Sequence, residues 1–384
     1  MIRLLNKVLL SVVGILLITV AYSQNKQNPT TDSIITLNSN ASLLFNKVGF
    51  VEPDNSFQVA IPASDDGVSA VIQLPFSFCF YGSPENELYI NNNGNVSVGQ
   101  PFAANTPLTF PLTAGGAANT GVIAPFWADV DTRGTGQVLY RLTSSALIVV
   151  WQEVGYYNQK TDRTNTFQLI ITDGFDPLLP QGYNVGFFYD DMAWTTGDAS
   201  GGLNGFQGVP AAVGINRGNS SDYIDIGRFN RDDASYDGPA LLNDGVHWLD
   251  KRNMFFSLCD TGNIAPVATG IGLSDTIVVC SGSDITYEVQ FIGPEDNQVV
   301  NATASSTASG FQVLSNTSGV FSTTEVSVPG GNSGLGNQQI NFAAYDNGTP
   351  IETSVFSLVL SVDTLQIQPT ISGDTAACNG DSVT

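Results

Sequence analysis

The stretch APFWADVDTRGTGQVLYR, residues 124–141, decides between the fold classes that this chain could adopt. An apolar segment that ends in Phe-Trp runs into a polar, glycine-containing turn, and a second β-type segment follows the turn. Asp129 and Asp131 alternate with Val130, so in an extended strand the two acids share one face. The pattern predicts a hairpin of strand, turn and returning strand, with the acids either facing solvent or flanking a cation.

Short runs of the same kind recur along the chain between turns rich in Gly, Asn and Asp. They include residues 69–74, 88–90, 147–152, 166–172 and 185–189. Beyond the first 23 residues, no window of useful length keeps the 3.6-residue period of an amphipathic helix. We therefore predict an all-β fold, with a sandwich-like or barrel-like domain over residues 46–260.

A polar segment that ends in proline, TGNIAP at residues 261–266, marks the predicted end of this domain. Beyond it, SDTIVVCSGSDIT at 274–286 is echoed by SGDTAACNGDSVT at 372–384, about 100 positions later, which is the size of an immunoglobulin-type sandwich. We therefore expect a fragment of a longer protein with further repeats. The predicted order is a signal peptide at 1–23, a polar lead segment at 24–45, the first β domain at 46–260, a linker at 261–266, a β-sandwich at 267–370 and the truncated start of a further repeat at 371–384.

The first 23 residues, MIRLLNKVLLSVVGILLITVAYS, combine basic residues, an apolar run and a small-residue end, which is typical of a secretory signal peptide. The apolar run is shorter than the ~20 residues that cross a bilayer, so we expect cleavage near Ser23, export and no membrane insertion. The formal net charge of −22 disfavours nucleic acid and anionic lipid as partners. Only 12% of the residues are charged, which suits an extracellular β protein with a neutral polar surface.

The motifs of catalytic sites do not occur in the sequence. The single histidine is His247, and no G-x-S-x-G, H-E-x-x-H or phosphate-loop sequence accompanies it. The cysteines form no C-x-x-C pair, which argues against zinc and favours structural disulfides or buried thiols at Cys79, Cys259, Cys280 and Cys378. We predict no catalytic residues and no enzymatic activity.

Turns rich in Asp are the remaining candidates for a cofactor site, because Ca²⁺ takes about six to eight oxygen ligands. Asp129 and Asp131 are the candidate calcium ligands. Similar clusters occur at Asp190 and Asp191, at Asp222 and Asp225, and at Asp232, Asp233 and Asp237. None has the spacing of an EF-hand, so each can equally be a solvated turn.

Three tryptophans stand in or beside β-type runs: Trp127, Trp151 and Trp194. Large aromatic side chains at such positions are typical of a sandwich core. An exposed aromatic platform for sugar is the alternative.

Seven motifs occur in order: FSFCFYG at 76–82, LYINNNGNVSVG at 88–99, the 124–141 stretch, VVWQEVGYY at 149–157, NTFQLIITDG at 165–174, FFYDDMAWTTG at 187–197 and AAVGINRGN at 211–219. In order and wording they resemble the nidogen-like extracellular domain, NIDO, over residues 71–259. The resemblance implies an extracellular, non-enzymatic module of adhesive and matrix proteins whose motifs belong to the scaffold. It also places Cys79 in an early strand and Cys259 in the last, so we expect a disulfide that ties the two ends of the domain together.

FAAYDNGTPIETSVFSLVLSVD at 342–363 resembles the end of a cadherin-type repeat, with Asp346, Gly348 and Pro350 on the pattern. This layout, a NIDO-like domain followed by immunoglobulin-like or cadherin-like repeats, looks like that of large bacterial surface adhesins. We therefore expect a secreted or cell-surface adhesion protein that binds extracellular matrix, glycan or another cell-surface component, with calcium as the candidate cofactor. A carbohydrate-binding accessory module of a larger secreted enzyme is the alternative.

Overall fold

A computed structural model describes residues 44–45, 49–113, 118–229, 245–259, 261–280, 284–295, 298–329 and 336–363. Within these ranges the regular structure is β-strand, with short 3₁₀ helices such as Asp198–Ser200 and Val246–Leu249. The all-β prediction is confirmed. Among the described residues, none of the helices has the length and hydropathy of a transmembrane span. The predicted signal peptide, most of the polar lead segment and the predicted start of a further repeat lie outside the described residues.

The strands are β1 (Leu44–Phe45), β2 (Gln58–Ile61), β3 (Ile72–Phe80), β4 (Ser83–Asn91), β5 (Asn95–Val98), β6 (Gly121–Trp127), β7 (Gln137–Leu142), β8 (Ala146–Tyr156), β9 (Lys160–Thr172), β10 (Val185–Met192), β11 (Ala211–Asn216), β12 (Tyr223–Phe229), β13 (Arg252–Phe256), β14 (Val267–Ile271), β15 (Thr276–Cys280), β16 (Ile285–Ile292), β17 (Val300–Ser306), β18 (Gln312–Asn316), β19 (Ser318–Gly319), β20 (Phe321–Val328), β21 (Gly336–Tyr345) and β22 (Thr353–Asp363).

These strands form three sheets. The long sheet has the order β18-β20-β16-β14-β13-β10-β9-β8-β7-β2. The front sheet has the order β12-β11-β6-β5-β4-β3, and the rear sheet has the order β1-β15-β22-β21-β17-β19. The described strand pairs are antiparallel, apart from the parallel pair β15 and β22.

An aromatic core joins the front sheet to the long sheet. The indole ring of Trp151 in β8 stacks on the ring of Phe167 in β9 with centroids 5.0 Å apart, and Phe126 in β6 reaches across to Phe167 at 5.3 Å. Alternate residues of the two strands, such as Ile148 and Ile170, point to the opposite face of the long sheet, where they join a second core. Residues 146–151 of β8 and 167–172 of β9 are buried on both faces, so these two segments are largely apolar and do not alternate.

Strands β6 and β7, on either side of the 128–136 turn, lie in different sheets. β6 pairs with β5 and β11 in the front sheet, whereas β7 pairs with β8 and β2 in the long sheet. The predicted returning strand is present, but the prediction of a hairpin is wrong. Long-range backbone hydrogen bonds hold the segment after β6 instead: the Ala128 N–H donates to Asn93 O at 3.2 Å, and the Asp131 N–H donates to Gly155 O at 3.1 Å.

The predicted linker at 261–266 connects β13 to β14, and these two strands pair directly in the long sheet. The long sheet therefore continues without a break from the first part of the chain into the second. The rear sheet packs on its other face, where Phe356 of β22 stacks on Phe255 of β13 with centroids 6.2 Å apart. The Tyr183 hydroxyl also lies 2.8 Å from Ser354 Oγ, so the two parts share a core as well as a sheet.

Candidate functional site: the acidic junction between two sheets

The crossing from the front sheet to the long sheet carries both acids that the sequence singles out. Asp129 and Asp131 are buried, with 1% and 0% of their surfaces exposed. The backbone between them pairs with the end of β8 through a bridge between Val130 and Tyr156, and the Tyr157 N–H donates to Asp129 O at 3.1 Å. We call the carboxylates of this region, with their one cation, the acidic junction: Asp65, Asp66, Asp129, Asp131 and Arg133.

The Asp131 carboxylate is fully engaged by donors. Arg133 Nε and Nη2 donate to its two oxygens at 2.8 and 2.6 Å, in a bidentate pair. The backbone N–H groups of Arg133 and Gln159 donate to the same oxygens at 3.0 and 2.9 Å. Burial acts to raise the pKa of Asp131, but these hydrogen bonds outweigh it and hold the pKa below the usual value. Asp131 is therefore an ionised, structural carboxylate.

The Asp129 carboxylate has the opposite environment. Both of its oxygens are buried, and no described group donates a hydrogen bond to either. Carboxylate oxygens of Asp65, Asp66 and Asp129 all lie within 4.8 Å of one another. Burial and the charges of Asp65, Asp66 and Asp131 raise the pKa of Asp129 to about 7. The nearby Ala199 amide, which does not reach hydrogen-bonding geometry with this carboxylate, opposes the rise only weakly.

Buried asparagines hold the segment that contains Asp65 and Asp66. Asn93 Nδ2 donates to Asp66 Oδ1 at 2.8 Å, and its Oδ1 accepts the Val130 N–H at 3.0 Å. Asn92 Nδ2 donates to the backbone carbonyls of Asp65 and Val130 at 2.5 and 2.6 Å. The turn between β4 and β5 therefore fixes the Asp65–Asp66 segment against the crossing that carries Asp129.

Two glycines let the backbone approach this region closely. Gly94, in the turn after the asparagines, has φ +76°, and a Cβ there would collide with the Phe126 carbonyl group of β6. A Cβ on Gly197, in the loop after β10, would collide with the Asp129 carboxylate. The Asp129 side chain is therefore enclosed by backbone on the Gly197 side.

The structure divides the predicted pair of candidate calcium ligands. Asp131 pairs with Arg133, whereas Asp129 joins Asp65 and Asp66. Sequence reasoning missed Asp65 and Asp66 because ASDDG at 63–67 is an ordinary turn sequence. The sequence pointed to the Asp65–Asp66 segment only indirectly, through the NNNG motif at 91–94 and the strand motifs around it. The asparagines of that motif bind the segment in the structure.

In two of the other predicted acidic clusters one acid forms an ion pair, and the third cluster lies outside the described residues. Asp190 pairs with Lys251, and Asp222 pairs with Arg217 at 2.6 Å. His247 Nδ1 lies 3.2 Å from Asp250 Oδ2. The cluster of Asp232, Asp233 and Asp237 lies outside the described residues.

The tryptophans belong to the core. Trp127, Trp151 and Trp194 are each 0% exposed. Their indole N–H groups donate to backbone carbonyls, for example from Trp194 to Val154 O at 3.0 Å and from Trp127 to Ala104 O at 2.7 Å. This arrangement excludes all three as an exposed platform for sugar.

A disulfide closes the first part of the chain. It joins Cys79 in β3 to Cys259 just after β13, with Cα atoms 5.2 Å apart and a sequence separation of 180. Beside it, Asn184 Nδ2 donates to Cys79 O at 2.7 Å, and Asn184 Oδ1 accepts the Leu258 N–H at 2.9 Å. The side chain of Cys280 and the whole of Cys378 lie outside the described residues.

Together these features define a disulfide-closed, all-β module with a buried polar junction between its sheets. Residues 39–235 match the family described as NIDO related, and the chain belongs to this family. It is similar to alpha-tectorin of Mus musculus, with 36% identity over 195 residues that cover 43% of this chain and 8% of that protein. It is also similar to nidogen of Drosophila melanogaster, with 29% identity over 178 residues that cover 39% of this chain and 12% of that protein.

A third relative, dendrite extension defective protein 1 of Caenorhabditis elegans, is 26% identical over 160 residues, which cover 35% of this chain and 13% of that protein. The chain therefore spans only about a tenth of the length of these curated relatives. The solved structure of astrotactin-2 covers 85% of this chain and 70% of its own at 8% identity, but its TM-score of 0.17 establishes no shared fold.

Proposed function

We propose that this chain is a secreted or cell-surface, non-enzymatic adhesion protein that attaches cells to matrix or to other surfaces. Its membership of the NIDO-related family over residues 39–235 carries this proposal. The family resemblance implies an extracellular module of adhesive and matrix proteins. The partners we propose are extracellular matrix proteins, glycans or other cell-surface components.

The packing of the family motifs supports a scaffold role for them. The aromatic residues of these motifs fill the core between the front and long sheets, as Phe126, Trp151 and Phe167 illustrate. The disulfide closes the same part of the chain. Residues committed to packing in this way leave binding to the outer surface and its loops.

The continuous long sheet supports a stalk role for the second part of the chain. β13 and β14 are joined by four residue pairs, from Arg252 with Ile271 to Phe255 with Ala268. Backbone hydrogen bonds and the shared core therefore couple the two parts more firmly than a flexible linker would. A stiff connection suits a module that presents a binding surface away from the cell.

Binding by many weak modules would account for adhesion without one deep ligand site. Linking such modules multiplies affinity by roughly 10²–10⁴ when their geometry allows simultaneous engagement. The test is to display the mature chain, from residue 24, on beads and to measure binding to arrays of matrix proteins, arrays of glycans and intact cells. The same chain, reduced and unfolded before coupling to identical beads, is the control.

We expect folded, multivalent beads to bind at least one of these surfaces, with saturation and at least tenfold more strongly than the soluble monomer. No binding above the unfolded control on any of the three surfaces would contradict the proposal. Binding to glycans alone, displaced by free sugar, would instead favour the alternative of a carbohydrate-binding accessory module. The burial of the three tryptophans argues against that alternative.

A further inference from the structure

The geometry points to a Ca²⁺ site formed by the carboxylates of Asp65, Asp66 and Asp129 in the acidic junction. The site is independent of the adhesion proposal, because its residues lie in the packing between the front and long sheets. The site differs from the pair suggested by the sequence, since Asp131 is committed to Arg133 and does not contribute.

The spacing of the three carboxylates fits one shared ion. Their nearest ligand oxygens lie within 4.8 Å of one another. Two oxygens bound to one Ca²⁺ at about 2.3–2.6 Å can be separated by at most about 5 Å, so all three carboxylates can reach a common centre. An irregular set of oxygen ligands suits Ca²⁺ better than Mg²⁺, which demands a near-ideal octahedron.

The unpartnered carboxylate of Asp129 is the second and independent indication of a ligand. The residue is 99% buried, since only 1% of its surface is exposed, and neither of its oxygens accepts a hydrogen bond from a described group. Asp65 Oδ1 is also buried and without a described donor. A buried carboxylate without a partner is costly, and a bound cation removes that cost.

The local charge has the sign that a cation requires. Four carboxylates meet a single guanidinium in the acidic junction. Arg133 Nη2 lies 2.6 Å from Asp131 Oδ2 and 3.2 Å from Asp65 Oδ2, so its charge is already shared between two acids. Asp129 and Asp66 are left without a cationic partner among the described residues.

The ligands come from segments that the fold already holds in place. Asn93 fixes the Asp66 side chain, and Asn92 fixes the backbone of Asp65. A bound ion would then tie the segment after β2 to the crossing after β6, next to the Gly197 loop that packs on Asp129. Cation binding should therefore stabilise the whole first part of the chain.

The experiment uses the mature chain and two substitutions, Asp129→Asn and Asp66→Asn. Asp66 is exposed, so its substitution should leave the fold intact even if the change at Asp129 does not. Asp191→Asn is the matched control, because Asp191 is an exposed acid outside the junction. Calcium binding is measured by calorimetric titration, and thermal unfolding is recorded in EDTA and in about 10 mM CaCl₂.

We expect wild type and Asp191→Asn to bind one Ca²⁺ with a dissociation constant on the order of 10⁻⁴–10⁻³ M, the range of extracellular modules. Calcium should raise their melting temperature by about 3 °C or more. Asp66→Asn and Asp129→Asn should each bind at least tenfold more weakly, with a correspondingly smaller thermal shift.

Any of three results would overturn the site. One is a wild-type chain whose titration shows no binding and whose melting temperature responds equally to CaCl₂, MgCl₂ and NaCl at matched ionic strength, which is charge screening alone. Another is unchanged calcium affinity in a folded Asp66→Asn protein. A calcium response lost equally in Asp191→Asn would also contradict it, because that residue lies outside the junction.

Discussion

Asp129 and Asp131 lie two positions apart in the same sheet crossing, both buried, yet the structure treats them in opposite ways. Asp131 accepts four hydrogen bonds, two from the Arg133 guanidinium and two from backbone amides. Asp129 accepts none and faces two further carboxylates. The pKa of the first is lowered and that of the second is raised to about 7.

The difference shows that burial alone does not assign a role to an acid. A buried carboxylate surrounded by donors contributes to folding, whereas one surrounded by carboxylates opposes folding until a proton or a cation neutralises it. The first arrangement belongs to the scaffold and the second to a ligand site. Removing the Asp131 charge should therefore lower the free energy of unfolding, whereas removing the Asp129 charge should raise it.

Removal of the disulfide is expected to have the largest effect on the free energy of unfolding. It tests whether the acidic junction depends on overall stability. Cys79 and Cys259 lie on elements that hold neither Asp129 nor Asp131. Replacing both cysteines with serine should lower the free energy of unfolding by about 2–5 kcal/mol, because the bridge restrains a long loop in the unfolded chain. Urea titration of the variant and of wild type, both in EDTA, measures the loss.

The calcium response should survive in the serine variant as long as it remains folded. Suppose that removing the Asp129 charge and removing the Asp131 charge had the same effect on the stability of a folded serine variant. The contrast between the two acids would then come from global stability and not from local contacts. Wild type reduced and alkylated after unfolding provides an independent control for loss of the bridge.

The second effect in size should follow from Asp131→Asn. The substitution removes the charge that pairs with Arg133 and weakens two further hydrogen bonds, so we expect a loss of about 2–4 kcal/mol in EDTA. Asp222→Asn, which breaks the more exposed pair with Arg217, should lose at most about 1 kcal/mol. Equal losses in the two variants would mean that burial of the Asp131 pair adds nothing.

Local patterns were enough to predict much of the fold. Alternating and continuous apolar runs predicted the strands, and the predicted returning strand, 138–141, lies within the observed β7 (Gln137–Leu142). The sequence could not distinguish a hairpin from a crossing between two sheets, because the polar turn at 131–136 is compatible with both. Pairing of β7 with β8 and of β6 with β11 decided it, and those contacts are long-range.

The sequence predicted only part of the candidate site, again because the contacts that form it are long-range. Asp129 stood out beside the aromatic pair, but its separation from Asp131 depends on Gln159, on Arg133 and on the positions of Asp65 and Asp66. Asn92 and Asn93 bring the last two residues into place from 27 positions away along the chain. No local sequence pattern specifies an arrangement that four separate segments create together.

The smallest predicted effect is also the one that separates the two acids most sharply. At pH 8, above the Asp129 pKa of about 7, Asp129→Asn replaces an unpartnered buried charge with a neutral group of the same shape, whose amide can donate to the neighbouring carboxylates. In EDTA we expect this variant to be more stable than wild type by about 1 kcal/mol, opposite in sign to Asp131→Asn. The measurement is the urea midpoint with an unchanged slope, which shows that the unfolded state is not altered. A loss of stability as large as that of Asp131→Asn would mean that Asp129 is satisfied in the calcium-free protein, and the two acids would then have the same structural role.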